Sequence, residues 1–170
     1  KWDYYEGEFK DGKKEGFGVL YSKNNGEVIF KGKFVNDQPT IGRLLFLQDN
    51  QSGKIPYYLG YVKQRGESDI RLNKWGRLIS NGGRRYIEGE YDSNNLKDGI
   101  GEIVYFDGEQ TREYFGEIKD NKENGLGQVL HLQENQETDE MYQGEWENGR
   151  KKGLGMFVYD PEEKASYYKG

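Results

Sequence analysis

Gly7-Glu8-Phe9-Lys10-Asp11-Gly12-Lys13 has the first seven characters of a phosphate-binding loop, in which backbone amides and a lysine cradle a nucleotide's phosphates. Position 14 is Lys, where a Ser or Thr must hold magnesium. No helical pattern follows to offer an N-terminus, so the stretch reads as a hairpin turn. Asp120-Asn121-Lys122-Glu123-Asn124-Gly125 echoes a calcium loop, but Lys122 occupies a ligand position and His131 stands where the bidentate Glu belongs. His131 is the only histidine, which argues against a His-dependent triad or a multi-histidine metal site; it reads as a solvated strand residue. Carboxylate pairs suited to glycoside hydrolysis could be drawn from many Asp and Glu residues, yet nothing singles one pair out. There is no cysteine, which removes thiolate metal sites, cysteine nucleophiles and disulfides. Asn50-Gln51-Ser52 is a formal glycosylation sequon with no secretory signal to give it weight. The expectation is a non-enzyme with no catalytic residue, no cofactor and no metal.

Charge is more informative. Net charge is -5, but residues 54–85 hold eight basic side chains against Glu67 and Asp69, while residues 102–147 hold 13 acids against Arg112, Lys119 and Lys122. Two readings of the basic segment stand side by side. It is a solvated hairpin tip whose cations blunt strand edges, or a docking site for an acidic protein or phosphoinositide headgroups. The docking candidates are Lys63, Arg65, Arg71, Lys74, Arg77, Arg84 and Arg85; arginine suits bidentate carboxylate or phosphate contact. Nucleic acid fits poorly, because the acidic flanks would repel phosphate.

The elements that must carry these residues are short strands. Only 33% of the chain is hydrophobic, yet 15% is aromatic, so disorder is disfavoured and a thin structure of aromatics lying on glycines is expected. No run of about 18 apolar residues exists to span a membrane as a helix. Tyr142-Gln143-Gly144-Glu145-Trp146 alternates with period two, Asn148-Gly149 turns the chain, and Gly153-Leu154-Gly155 opens a return strand. The start of the chain repeats it: Tyr5-x-Gly7-x-Phe9, a turn at Asp11-Gly12, then Gly16-Phe17-Gly18. Further copies open at Phe30, Tyr58, Ile87 and Tyr114, the last continuing through Gly116 to Gly125-Leu126-Gly127. The second, with Pro39 in its expected turn, and the third are degenerate.

Hairpin units are therefore predicted at about 5–21, 30–46, 58–79, 87–105, 114–130 and 142–159, with the start of another at 168–170, within one array over 1–170. Nowhere does a helical stripe appear. The fold class is all-β, an elongated single-sheet antiparallel hairpin solenoid. It would gain roughly 10 Å per unit from two strands about 4.8 Å apart. Glycine in a strand suggests close approach of a ring or another backbone, so each aromatic face is expected on a neighbouring unit's glycines. The repeat-packing residues are Tyr5, Gly7, Phe9, Gly16 and Gly18; Tyr114, Gly116, Gly125 and Gly127; and Tyr142, Gly144, Trp146, Gly153 and Gly155.

The units resemble the MORN repeat, whose pattern is Tyr-x-Gly-x-Trp, a turn glycine, then Gly-x-Gly. Tyr142, Gly144, Trp146, Gly149, Gly153 and Gly155 match it in full, and the first unit matches with Phe9 in place of Trp. The period here, 25 to 29 residues between first glycines, exceeds the family's usual spacing, so longer tips or connections are expected. The chain is read as a fragment of a longer array. The resemblance implies a non-catalytic scaffold for protein–protein interaction in a cytoskeletal, ciliary, axonemal or cortical assembly. It also implies a cytoplasmic setting and a larger complex with other proteins, acidic cytoskeletal components among them. An anionic-phospholipid module, or a regulatory array beside an enzyme domain, is the alternative.

Overall fold

The computed structural model describes residues 2–46, 56–65, 69–133, 140–158 and 166–169. The Asn50-Gln51-Ser52 sequon and residues 66–68 of the third hairpin lie outside them. The described chain is nearly all antiparallel strand, with one short 3₁₀ turn at Asn81–Gly83. Contacts divide it into two compact units, 1–82 with 90–95, and 83–89 with 96–170.

The first unit contains β1 (Trp2–Lys10), β2 (Lys13–Ser22), β3 (Val28–Val35), β4 (Gln38–Leu45), β5 (Tyr57–Arg65) and β6 (Asp69–Ser80), each paired to the next in chain order. The end of β7 (Arg85–Asp92) packs with them. The second unit takes the rest of β7, paired to β9 (Gly99–Phe106), after the two-residue β8 (Asn95–Leu96). Then β10 (Gln110–Lys119), β11 (Lys122–Gln133), β12 (Glu140–Glu147), β13 (Arg150–Val158) and β14 (Ser166–Lys169) follow in order. The all-β hairpin-array reading is thus what the chain forms.

Turn chemistry fixes the hairpins. Consecutive positive-φ pairs at Asp11/Gly12, Asn36/Asp37, Ser93/Asn94, Asp120/Asn121 and Asn148/Gly149 are the signature of type I′ turns, whose twist matches the flanking strands. Pro39 is not in its turn, as the sequence suggested. It lies in β4 opposite Phe34 at a register shift, fully buried, a bulge position where no ladder amide is needed. The tips also tie to the hairpin before: Asp37 N–H donates to the Lys14 carbonyl at 3.0 Å and Gly149 N–H to that of Glu123 at 2.9 Å.

Across each unit the strands bring like residues into rows perpendicular to the chain. One row alternates aromatic with aliphatic, buried in its middle and half-buried at its ends: Tyr5, Leu20, Phe30, Leu44, Tyr58 and Leu78 in the first unit. Ile87, Ile103, Tyr114, Val129, Tyr142 and Phe157 form the corresponding row in the second, without strict alternation at its ends. Beside it each unit carries a glycine row: Gly7, Gly18, Gly32, Gly42, Gly60 and Gly76 in the first, and Gly101, Gly116, Gly127, Gly144 and Gly155 in the second.

Where a hairpin opens on an aromatic, that ring lies on its own hairpin's glycines, not on a neighbour's. Tyr5 covers Gly7 and Gly18, Tyr114 covers Gly116 and Gly127, and Tyr142 covers Gly144 and Gly155. The ring leans along its own strand pair, and its hydroxyl then reaches backbone beyond the glycine. Tyr114 donates to the Glu117 carbonyl at 2.7 Å and Tyr142 to that of Glu145 at 3.2 Å. Burial pushes the Tyr114 phenol up to about 12.

The link between hairpins is the second aromatic. Phe34 meets Tyr5 at 4.9 Å and Trp146 meets Tyr114 at 5.3 Å, both edge-on. The Trp146 indole also donates to the Gly127 carbonyl at 3.2 Å. Trp146 is 4% exposed, whereas Phe9 at the matching position is 61% exposed. Its only close ring among the described residues is Tyr5 of its own hairpin, at 5.1 Å.

Candidate functional site

The face opposite the aromatic rows is where side chains remain available. Strand alternation sends the residue before the row glycine of each return strand to that face, and it is large and apolar every time: Phe17, Ile100, Leu126 and Leu154 at the centre of a Gly-x-Gly, and Ile41 and Trp75 before the single glycines Gly42 and Gly76. All are exposed, Phe17 to 70%, Leu126 to 64% and Leu154 to 62%. Single exposed apolar residues are ordinary, but a repeated series at one structural position is not. Each glycine row lies with its Cβ direction toward the aromatic face, so on this face it contributes only backbone, the floor of a trough between the side chains that the flanking residues send outward.

The first glycine of Gly-x-Gly has a separate role. Gly16, Gly125 and Gly153 have φ of 69°, 56° and 62° beside register shifts in all three hairpins. They are bulge positions that glycine adopts without penalty. The amide freed by the bulge is met by a glutamate. Glu8 Oε1 accepts from Phe17 N–H at 2.9 Å, and Glu117 Oε1 from Leu126 N–H at 3.0 Å. This contact is absent from the sequence reading. The signal was present, since Glu8, Glu90, Glu117 and Glu145 all follow the first repeat glycine. Glu117→Ala is expected to cost about 1–2 kcal/mol by leaving the bulge amide without its charged acceptor, measured by urea denaturation. Glu117→Gln should recover part of that loss.

The seven predicted docking cations divide between the units. Lys63, Arg65, Arg71, Lys74 and Arg77 belong to the first, and Arg84 and Arg85 to the second. Lys63 faces Arg71 across β5 and β6, and Leu59 faces Arg77. Arg71 is held by Asp69 at 2.6 Å and Lys74 lies 5.7 Å over the Tyr61 ring. Arg85 lies on the aromatic face, its guanidinium 5.2 Å over Tyr105. Three cations outside the predicted segment share the trough face of the first unit: Lys31 opposite Val19 and Arg43, and Lys33 opposite Phe17 and Ile41. Arg43 stacks on Tyr57 at 4.1 Å. The matching positions in the second unit are acidic or neutral: Glu102, Phe115, Gln128, Gln143 and Met156.

The stretches that echoed known chemistry have structural settings. Gly12 is a turn residue leading into β2, not into a helix. Asp120 and Asn121 form a hairpin turn, with Lys122 starting β11. Among the described residues no cluster of three or more His, Asp or Glu could hold a metal ion. Glu123, the one buried carboxylate among the described residues, pairs with Arg112 at 2.6 Å, and that guanidinium sits 5.5 Å over Tyr105 and 5.6 Å over Trp146.

His131 is half-buried, not solvated as expected, and stands between Arg112 and Glu140 in register. Burial holds its pKa below the usual value, and the charges of Arg112 and Lys151 add to the shift against a smaller opposing effect of Glu140. The unfolded chain therefore takes up the proton first as pH falls. Stability from this residue is full above about pH 6.5 and declines below it. His131→Gln should flatten the stability slope between neutral and mildly acidic pH, read from melts across that range.

With this geometry in place, family membership is direct: the chain is a MORN-repeat protein, and the MORN repeat matches residues 5–27, 88–110, 114–128 and 142–161. Each matched segment contains an intact Gly-x-Gly, and the hairpins at 28–45 and 57–80, which lack one, fall between them. No curated protein matches the chain. No helix among the described residues is long and apolar enough to cross a membrane.

Proposed function

We propose that this chain is a non-catalytic scaffold that binds other proteins through the glycine-trough face of its hairpins. The observation that carries the reading is the exposed apolar residue at the centre of every Gly-x-Gly, from Phe17 to Leu154. The aromatic rows on the other face are spent on holding the array together, so conserving exposed apolar bulk on this one serves contact. The MORN resemblance supports a place in a cytoskeletal, ciliary or cortical assembly, with the scaffold joining components of a larger complex.

A variant carrying Phe17→Ser, Leu126→Ser and Leu154→Ser tests the reading. These side chains are largely exposed, so its melting temperature should stay within a few degrees of the parent. Affinity capture followed by mass spectrometry should lose partners that the parent retains. If both proteins recover the same set, the trough face is not the contact surface. Co-sedimentation of the tagged parent with a cytoskeletal or axonemal fraction tests the finer placement, and absence from both removes it.

A further inference from the structure

The first unit's trough has a chemistry that the second unit's lacks. Over Gly7, Gly18, Gly32, Gly42 and Gly60 the face opens into a groove of about 970 Å³. Its apolar walls come from Phe17, Val19, Ile41 and Leu59, and Lys31 and Arg43 stand among them. The one acid on the groove, Glu6, already accepts a hydrogen bond from the Tyr21 hydroxyl at 3.0 Å. Lys31 and its neighbour Lys33 make no ion pair among the described residues and are exposed. Arg43 is held against Tyr57, so its planar donors are preorganised.

We propose that this groove binds a short polypeptide segment carrying carboxylates beside apolar side chains. The proposal rests on the scaffold reading and specifies the partner for one of its faces. The five lining strands give a groove about 19 Å long at about 4.8 Å per strand, which roughly six extended residues would span. Apolar side chains enter over the glycine floor, and carboxylates pair with Lys31, Lys33 and Arg43. A bilayer surface would meet the cations but could not place separate apolar groups over a floor lined on both sides, so a polypeptide is the better fit. Charge complementarity here would act on selectivity and association rate as well as affinity.

The test selects from a displayed library of random short peptides against the full chain. Phosphatidylserine vesicles and phosphatidylcholine vesicles serve as the lipid arms. Enriched peptides should be acidic and bear apolar residues. Their binding should weaken about tenfold or more with Lys31→Glu and Arg43→Glu together, and should survive Leu126→Ser in the second unit. Circular dichroism of the charge-reversed variant confirms its fold, and Lys31→Gln with Arg43→Gln gives a milder loss should reversal disturb it.

The proposal is overturned if no peptide is enriched, if neutral or basic peptides dominate, or if charge reversal leaves binding unchanged. It is equally overturned if phosphatidylserine vesicles bind with the same dependence on Lys31 and Arg43 while peptides do not. Such a failure, with partners still lost from the serine variant, would remove the groove and leave the scaffold standing. Retention of partners in that variant beside acidic-peptide binding would instead overturn the wider reading alone.

Discussion

Trp146→Ala is expected to destabilise the second unit by about 3–5 kcal/mol. The indole is 4% exposed and makes edge contacts at 5.3 Å with both Tyr114 and Tyr142. It also donates to the Gly127 carbonyl at 3.2 Å and supports the Arg112 guanidinium at 5.6 Å. Truncation opens a cavity between two hairpins and weakens the support of an ion pair whose carboxylate, Glu123, is buried. Phe9→Ala removes an aromatic from the same repeat position but at 61% exposure, so a loss of no more than about 1 kcal/mol is expected. Urea melts of the two variants separate the explanations. Similar losses would mean that the second aromatic acts within its own hairpin, and the packing between hairpins would need another cause. Trp146→Phe, which keeps a ring and loses the N–H, should fall between them.

Period-two alternation was enough to read the hairpins and the absence of helix, because side-chain direction in a strand depends only on the parity of position. Parity says which face Tyr5 occupies, but not which glycine its ring reaches. That depends on the register across strands, and the register put Gly7 opposite Gly18 in the same hairpin. The glycine row itself was hidden for the same reason, since it is made by six strands whose residues lie far apart in the chain. Leu20, Leu44, Ile103 and Val129, all buried in the core row, carry no aromatic signal and were passed over. Gly16 looked like a close-approach glycine, but its neighbour's N–H and the Glu8 carboxylate show a bulge.

The charge reading shows the limit of a linear window. Residues 54–85 are basic in sequence, but the turn of the chain puts Arg84 and Arg85 in a different unit from Lys63 and Arg71. Lys31 and Arg43, outside the window, pair across β3 and β4 on the trough face, and Arg43 is opposite Leu59, whose partner in β6 is Arg77. A cross-strand neighbour about 5 Å away contributes more to a local field than a residue several positions along the strand. The degenerate hairpins thus differ from the intact ones chiefly in what they present: Lys33 and Tyr61 stand where Glu8, Glu117 and Glu145 stand elsewhere. Losing the bulge glutamate and gaining a cation are the same substitution in Lys33.

Gly127→Ala is expected to cost about 3 kcal/mol or more, a large effect for adding one methyl group. The backbone there is ordinary, so conformational strain is not the cause. A Cβ at Gly127 would run into the ring and hydroxyl of Tyr114, which is completely buried and cannot move away. Tyr114 is fixed by hydroxyl bonds to the Glu117 carbonyl at 2.7 Å and the Asn124 carbonyl at 3.1 Å, and by Trp146 at its edge. Relieving the clash would break those bonds or lift the whole ring off its hairpin. Gly26→Ala provides the comparison: φ is 67° and no atom lies near the added methyl, so only backbone strain of about 1 kcal/mol is expected. A cycle with Tyr114→Leu identifies the steric partner. If the ring is the obstacle, Gly127→Ala should cost much less in the Tyr114→Leu background, giving a coupling of about 1 kcal/mol or more. Additive losses would place the obstacle in the backbone instead. That outcome would remove the claim that each hairpin's first aromatic is seated on its own glycine pair.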